Sequence, residues 1–369
     1  MIINWPIMIL CGFSIAILLT VIFIPQIIKV SFTKRLFDKP EKRKIHKGVI
    51  PRLGGLSFLP SIIVGLGILL AFILSDGAYA SDSVMIYAEL PSVLVLISAM
   101  TLLFFVGLID DLVGLRYMHK LCAQALGAAI IVTSGMIILN YHGLVGIGTV
   151  NSGVGAVITF FMILYIINSM NMIDGIDGLA SGLSIICLAI YGIELYAERC
   201  YLLSAVSFMG VGSLIIFFFY NVFGSVKRHT KIFMGDIGSL TLGILLAFLA
   251  TAMTLSGDAD PALGRDAFIM ALSPLVIPMF DLLIVFIERI SGGKSPFLPD
   301  KRHIHHRLLA KGFGSKAVLT ILLLTQIAIV IANYYVSLYA DINVILVMDL
   351  LIYLIIKLLT LKGRATVTA

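Results

Sequence analysis

Five carboxylates stand at the ends of long apolar runs: Asp110 and Asp111 in FFVGLIDDL, Asp174 and Asp177 in NSMNMIDGIDGLA, and Asp236 in IFMGDIGSL. Only 12% of the residues are charged, and an ionised group within a bilayer costs about 3 kcal/mol unless hydrated, paired or bound to a cation. Five such groups point to a shared polar site. Asn171, Asp174 and Asp177 follow i, i+3, i+6 spacing, which brings neighbours onto one side of a helical turn. Oxygen donors of this kind suit Mg2+, which takes carboxylates together with substrate phosphate oxygens. The plainer alternatives are a polar turn chosen for Asp and Asn turn chemistry and, at Asp236, a helix cap. Adjacent side chains on a helix diverge, so Asp110 and Asp111 make a poor symmetric acid–base pair.

Basic residues stand close to these acids in sequence. Lys120 opens the segment after Asp110-Asp111 and can hold a phosphate or anchor a helix at the headgroups. His303, His305, His306 and Arg307 lack the i, i+4 spacing of a helical zinc pair, and read as pyrophosphate donors or as contacts to anionic lipid. Lys47, in His46-Lys47-Gly48, belongs to a loop whose charge serves topology first. Phe233, just before the Gly-Asp-Ile-Gly run, can stack on a base or sit as an interfacial aromatic. Asp281, deep within an apolar segment, needs a polar partner or a water-filled cleft.

The elements that must position these groups are long helices. The chain has 369 residues, 60% of them hydrophobic, and a spanning helix uses about 20 apolar residues. Runs of that length fall at about 4–30, 54–75, 90–109, 120–139, 154–170, 179–197, 201–221, 238–256, 266–288, 317–338 and 342–361. The fold class expected is therefore an all-α polytopic membrane protein of about 11 transmembrane helices, one integral-membrane domain over 1–369. The first run lacks a basic n-region and a small-residue cleavage pattern, and reads as a spanning helix rather than a signal peptide.

With eleven spans, all of the 26 Lys and Arg except Arg199 and Arg265 fall on one side, which the positive-inside rule makes cytoplasmic. The N-terminus is then outside and the C-terminus cytoplasmic, with cytoplasmic loops at about 31–53, 110–119, 171–178, 222–237 and 289–316. All five motif carboxylates share that face. Net charge of +6 reflects topology, so no nucleic-acid partner is expected. The four scattered cysteines form no zinc or disulfide framework, and no internal repeat supports an inverted-repeat transporter.

HKGVIPRLGG, the Asp110-Asp111 pair with Lys120, NMIDGIDGLASG, FMGDIGSL and RHIHHRLL together resemble the motifs of the polyprenyl-phosphate N-acetylhexosamine-1-phosphate transferase superfamily, in the same order. The branch most resembled is the bacterial undecaprenyl-phosphate N-acetylglucosamine-1-phosphate transferases. The muramyl-pentapeptide branch has a Glu after its His-rich loop, where this chain reads His-Ile-His-His-Arg, and that departure disfavours the pentapeptide substrate. The resemblance implies a bacterial inner-membrane enzyme with its active site on the cytoplasmic face. It would join UDP-GlcNAc and undecaprenyl phosphate to give undecaprenyl-diphospho-GlcNAc and UMP, initiating a cell-surface polysaccharide such as O-antigen.

The resemblance also implies roles by position. Asn171 and Asp236 would be ligands of Mg2+, with Mn2+ as a substitute. Phe233 would stack on uracil, and Asp174 and Asp177 would shape the nucleotide pocket. Lys120 and the loop carrying His303, His305, His306 and Arg307 would hold the pyrophosphate and sugar, and Lys47 would be a further substrate-binding residue. Asp110 and Asp111 would activate the lipid phosphate. The lipid bilayer is the medium, and a homodimer is an allowed assembly. Two rivals stand beside this reading: the same transfer with another UDP-N-acetylated sugar, and a transporter or flippase for an anionic lipid.

Overall fold

A computed structural model describes residues 4–37, 49–75, 83–257, 267–293, 295 and 301–361. Its helices are α1 (Trp5–Lys34), α2 (Phe58–Ser75), α3 (Ser83–Val113), α4 (Tyr117–Thr133), α5 (Ser152–Ile173), α6 (Leu179–Ala197) and α7 (Tyr201–Phe223). They continue with α8 (Gly235–Gly257), α9 (Ala267–Leu272), α10 (Val276–Ser291), α11 (Ile304–Ala310), α12 (Ser315–Val336) and α13 (Ile342–Leu361). Among the described residues, ten helical stretches are long and apolar enough to cross a membrane. The chain is a multi-pass, mainly helical membrane protein.

Two expected segments differ in form. The helix expected over about 120–139 is α4, whose 17 residues reach about 26 Å at 1.5 Å per residue, below the ~30 Å of a bilayer's apolar core. It stops because Gly135 takes a positive φ of 94°, the left-handed conformation that ends helices. The chain then enters a hairpin of β1 (Asn140–Leu144) and β2 (Ile147–Thr149). Asn343 holds that hairpin by accepting from Val145 N and donating to Gly143 O.

The ninth segment breaks instead of running straight. A 3-10 turn over Ser273–Leu275 separates α9 from α10, since Pro274 has no N–H to continue the ladder. Within a membrane the freed backbone groups need partners from protein. Gln326 of α12 supplies two, accepting from Ile277 N at 3.0 Å and donating to Ser273 O at 2.7 Å. Tyr191 of α6 donates to Ala271 O at 2.6 Å.

Helix α8 lies at the centre, with its apolar stretch wholly buried in protein and α3, α5, α6 and α9 against it. Close backbone approach makes that possible: a β-carbon on Gly107 of α3 would fall on the Ile237 backbone. Helices in lipid associate through such small residues and through interhelical hydroxyl bonds. Thr20 of α1 provides the latter, meeting Ser61 Oγ at 3.0 Å and Ser213 Oγ at 2.9 Å. Replacing Gln326 with Leu strands two buried backbone groups, which should cost about 2–4 kcal/mol and lower the thermal midpoint in detergent. A midpoint equal to that of the parent protein would show that the repair is unnecessary.

Candidate active site

The N-terminus of α8 is built first. Its opening N–H groups have no intrahelical acceptor, and Asp111, from the end of α3, supplies one. Asp111 Oδ1 accepts from Asp236 N and Oδ2 from Ile237 N, each at 3.0 Å. The segment leading into the helix is held from the other side, where Gly54 N donates to Phe233 O and Gly55 N to Met234 O, both at 2.9 Å. A β-carbon on Gly55 would fall on the Gly238 backbone, so only glycine allows this seam. Asp236 is thus aimed by two separate stretches of chain, and the cap of its helix is supplied by Asp111.

Three groups then converge on Asp236. Asn171, in the last turn of α5, donates from Nδ2 to Asp236 Oδ1 at 2.9 Å and to Ser239 Oγ at 2.8 Å. Lys120 Nζ lies 3.3 Å from Asp236 Oδ1 and 2.5 Å from Asp110 Oδ2. Asp110 Oδ1 accepts from Leu115 N at 2.6 Å, which folds the α3–α4 connection over the site. The expected pair therefore divides: Asp110 faces the lysine, while both oxygens of Asp111 serve the helix.

Past Asn171 the i, i+3, i+6 pattern leaves the helix. Helix α5 ends at Ile173, and Gly178, at a φ of 82°, starts α6. Asp174 sits in the turn, and its carboxyl is pushed up to about 7 by burial first and then by the charges of Asp236, Asp177 and Asp111, with Arg52 opposing. Asp177 goes elsewhere, to Lys231 Nζ at 2.6 Å. Nothing basic within the turn neutralises it, as the sequence indicated, but the loop before Phe233 does. Phe233 is half-buried beside that loop, two residues from Lys231. Lys47 lies outside the described residues.

The His-rich segment divides too. His303 and the start of α11 are tied to Asp281, and Arg307 is tied to Arg302 O and Glu288 Oε2, each at 2.7 Å. Glu288 is also paired with Lys357 at 2.8 Å. His305 alone is pressed onto the acidic turn, its ring where a β-carbon of Gly175 would stand. Burial, reinforced by His306, holds the His305 imidazole down to about 3. It is neutral at pH 7, a hydrogen-bonding group rather than a cation for pyrophosphate. The His306 ring lies beside it, tilted by 48° with ring centroids 4.3 Å apart.

A divalent cation fits the charge and chemistry of this cluster. Four carboxylates, Asp110, Asp111, Asp174 and Asp236, face two cationic side chains, Lys120 and Arg52, and full ionisation leaves two negative charges in excess. Turning the Asn171 amide presents its oxygen 2.9 Å from Asp236 Oδ1, near the spacing of about 3 Å between neighbouring ligands on an octahedral Mg2+. No group of three His, Cys, Asp or Glu suited to a metal exists among the described residues. Water and substrate phosphate must complete such a shell, as Mg2+ prefers. Sequence reasoning passed over Arg52, Lys231 and Ser239. Each left a signal: Arg52 stands in HKGVIPRLGG, Lys231 closes the basic loop before Phe233, and Ser239 follows Asp236 at i+3.

The model of glycosyl transferase family 4 matches residues 93–254, the stretch that carries Asp110, Asp111, Lys120, Asn171 and Asp236. An undecaprenyl-phosphate alpha-N-acetylglucosaminyl 1-phosphate transferase of Yersinia pestis is 32% identical over 298 residues, 80% of this chain and 75% of the relative. A decaprenyl-phosphate N-acetylglucosaminephosphotransferase of Mycobacterium leprae is 32% identical over 303 residues, 77% of this chain and 73% of the relative. The Escherichia coli K12 undecaprenyl-phosphate alpha-N-acetylglucosaminyl 1-phosphate transferase is 30% identical over 310 residues, 83% and 78% of the two chains. The chain belongs to glycosyl transferase family 4 and, within it, to the polyprenyl-phosphate N-acetylhexosamine-1-phosphate transferases, membrane enzymes that transfer a sugar phosphate.

Proposed function

We propose that this enzyme transfers N-acetylglucosamine 1-phosphate from UDP-GlcNAc to undecaprenyl phosphate, at the cytoplasmic face of a bacterial inner membrane, in a Mg2+-dependent reaction. The observation that carries the reading is the convergence of Asn171, Lys120 and Asp110 on Asp236 at the ends of four helices. The substrates named for the relatives support the choice of sugar and lipid. The one-sided distribution of Lys and Arg supports the choice of face.

In this reading an oxygen of the lipid phosphate attacks the sugar-bearing phosphorus of UDP-GlcNAc. The new P–O–P bridge forms as the bond to UMP breaks, and UMP leaves with that electron pair. A phosphate monoester has its second pKa near 6, so the attacking group is largely dianionic at pH 7 and needs no strong base. Asp110 therefore serves best by orienting Lys120, whose charge offsets phosphate repulsion; Asp111 keeps Asp236 in place. Bound Mg2+ would supply further charge neutralisation, held by Asn171 and Asp236. Phe233 would stack on uracil, with Lys231 close by to meet the nucleotide. As for phosphoryl transfer in general, positioning and electrostatics carry most of the rate.

Transfer of labelled sugar phosphate from UDP-GlcNAc, run against a panel of UDP-sugars and with UMP release monitored, tests the reading. Chelation of divalent metal should abolish the signal and added Mg2+ should restore it; activity that survives chelation rejects the metal. Asp236→Asn should lower kcat by about a hundredfold or more with normal membrane insertion, and near-normal turnover would remove Asp236 from the chemistry. Base–aromatic stacking contributes about 1–3 kcal/mol, so Phe233→Ala should raise KM for the nucleotide sugar by about fivefold or more. An unchanged KM would dismiss the stacking role.

A further inference from the structure

We propose that Asp281 is a positioning residue for nucleotide-sugar binding, which acts through His303 and the first turn of α11 to seat the His305 ring against the Gly175 turn. The proposal rests on the transferase reading above and identifies what holds the donor-recognition element in place. Asp281 is 1% exposed on a helix of the membrane-spanning region, where a carboxylate needs protein partners. Three donors meet it: His303 Nδ1 at 2.6 Å to Oδ2, and Ile304 N and the Tyr353 hydroxyl at 2.8 Å each to Oδ1. Two of the three belong to the first residues of the His-rich segment.

The tautomer follows from these partners. An ionised carboxylate only accepts, so His303 carries its proton on Nδ1 and leaves Nε2 facing the Arg289 guanidinium, 3.4 Å away. Both edges of the His303 ring are thereby engaged, which fixes its plane. His305 lies nearly parallel to it, with ring centroids 5.8 Å apart and an interplanar angle of 12°. Among the described residues neither nitrogen of the buried His305 ring has a hydrogen-bond partner, and packing sets its orientation. A buried imidazole with an unused donor and acceptor, packed on Gly175 in the turn that carries Asp174 and Asp177, is suited to the polar edge of an incoming nucleotide sugar. Its direction depends on the anchor at Asp281.

The test uses the full-length protein in detergent with three measurements: KM for each substrate, amide hydrogen exchange, and the thermal midpoint. Asp281→Asn leaves one of its donors without an acceptor. It should raise KM for UDP-GlcNAc about tenfold and leave KM for undecaprenyl phosphate unchanged. Exchange should quicken over 301–310 and stay unaltered in α5 and α8. Tyr353→Phe, which keeps two of the three bonds, should shift the same quantities less. Equal changes in both KM values, no change in either, or a lowered midpoint with faster exchange throughout α10 and α13 would each make Asp281 a packing residue only and overturn the proposal. If Asp281→Asn does not fold, Tyr353→Phe decides by the same criteria. Should the parent protein transfer nothing from any UDP-sugar, the transferase reading falls. The exchange measurement needs no substrate and still decides, because unaltered exchange over 301–310 overturns the anchor.

Discussion

Helix α8 begins inside the protein, and the free N–H groups of its first turn have little water to meet. That constraint organises the site. Asp111 reaches across from α3 to accept from two of those groups, and the glycine seam at Gly54 and Gly55 brings the chain before α2 close enough to hold the approach to the helix. Once the helix start is fixed, Asp236 has one direction, and Asn171, Lys120 and Asp110 close around it. A constellation held on helix ends and supported by surrounding hydrogen bonds keeps its geometry better than one on free loops. It also sets Asp110 and Asp236 against the same lysine, with Asp111 and Asp174 near enough to feel the charge of Asp236, an arrangement that favours cations and resists the approach of phosphates without them.

The same rule recurs away from the acids. At three places where a helix breaks or begins, a side chain from a different helix meets the freed backbone groups. Gln326 does this at the break between α9 and α10, Glu89 accepts from the first N–H groups of α7, and Asp281 accepts from the first of α11. These polar residues look out of place in apolar segments until their partners are found. Each is more easily explained by an unsatisfied backbone group nearby than by chemistry on a substrate.

Much of the site was legible from residue types. Carboxylates at helix ends, with glycines around them and almost all Lys and Arg on one side, located a polar cluster at one end of a helical bundle. Asn171, Asp236 and Lys120 do meet there. The division of labour within the motifs was not legible. Asp110 and Asp111 are adjacent and chemically identical, and only the direction of each side chain separates the lysine partner from the helix cap. His303 and His305 are two residues apart in one motif, yet the first is locked between Asp281 and Arg289 while the second faces the acidic turn. The break in the ninth segment did leave a local signal in Pro274, and the end of α4 left one in Gly135.

Apolar length and the placement of charge are properties of the chain read in order, and for this protein they determined the helical membrane architecture and the set of groups available for chemistry. Which group meets which was decided by tertiary structure. Two of the pairs that define the site, Asn171 with Asp236 and Asp111 with Asp236, join residues 65 and 125 positions apart. A hydrogen bond depends on direction and on a few tenths of an ångström, and only the packed bundle sets those.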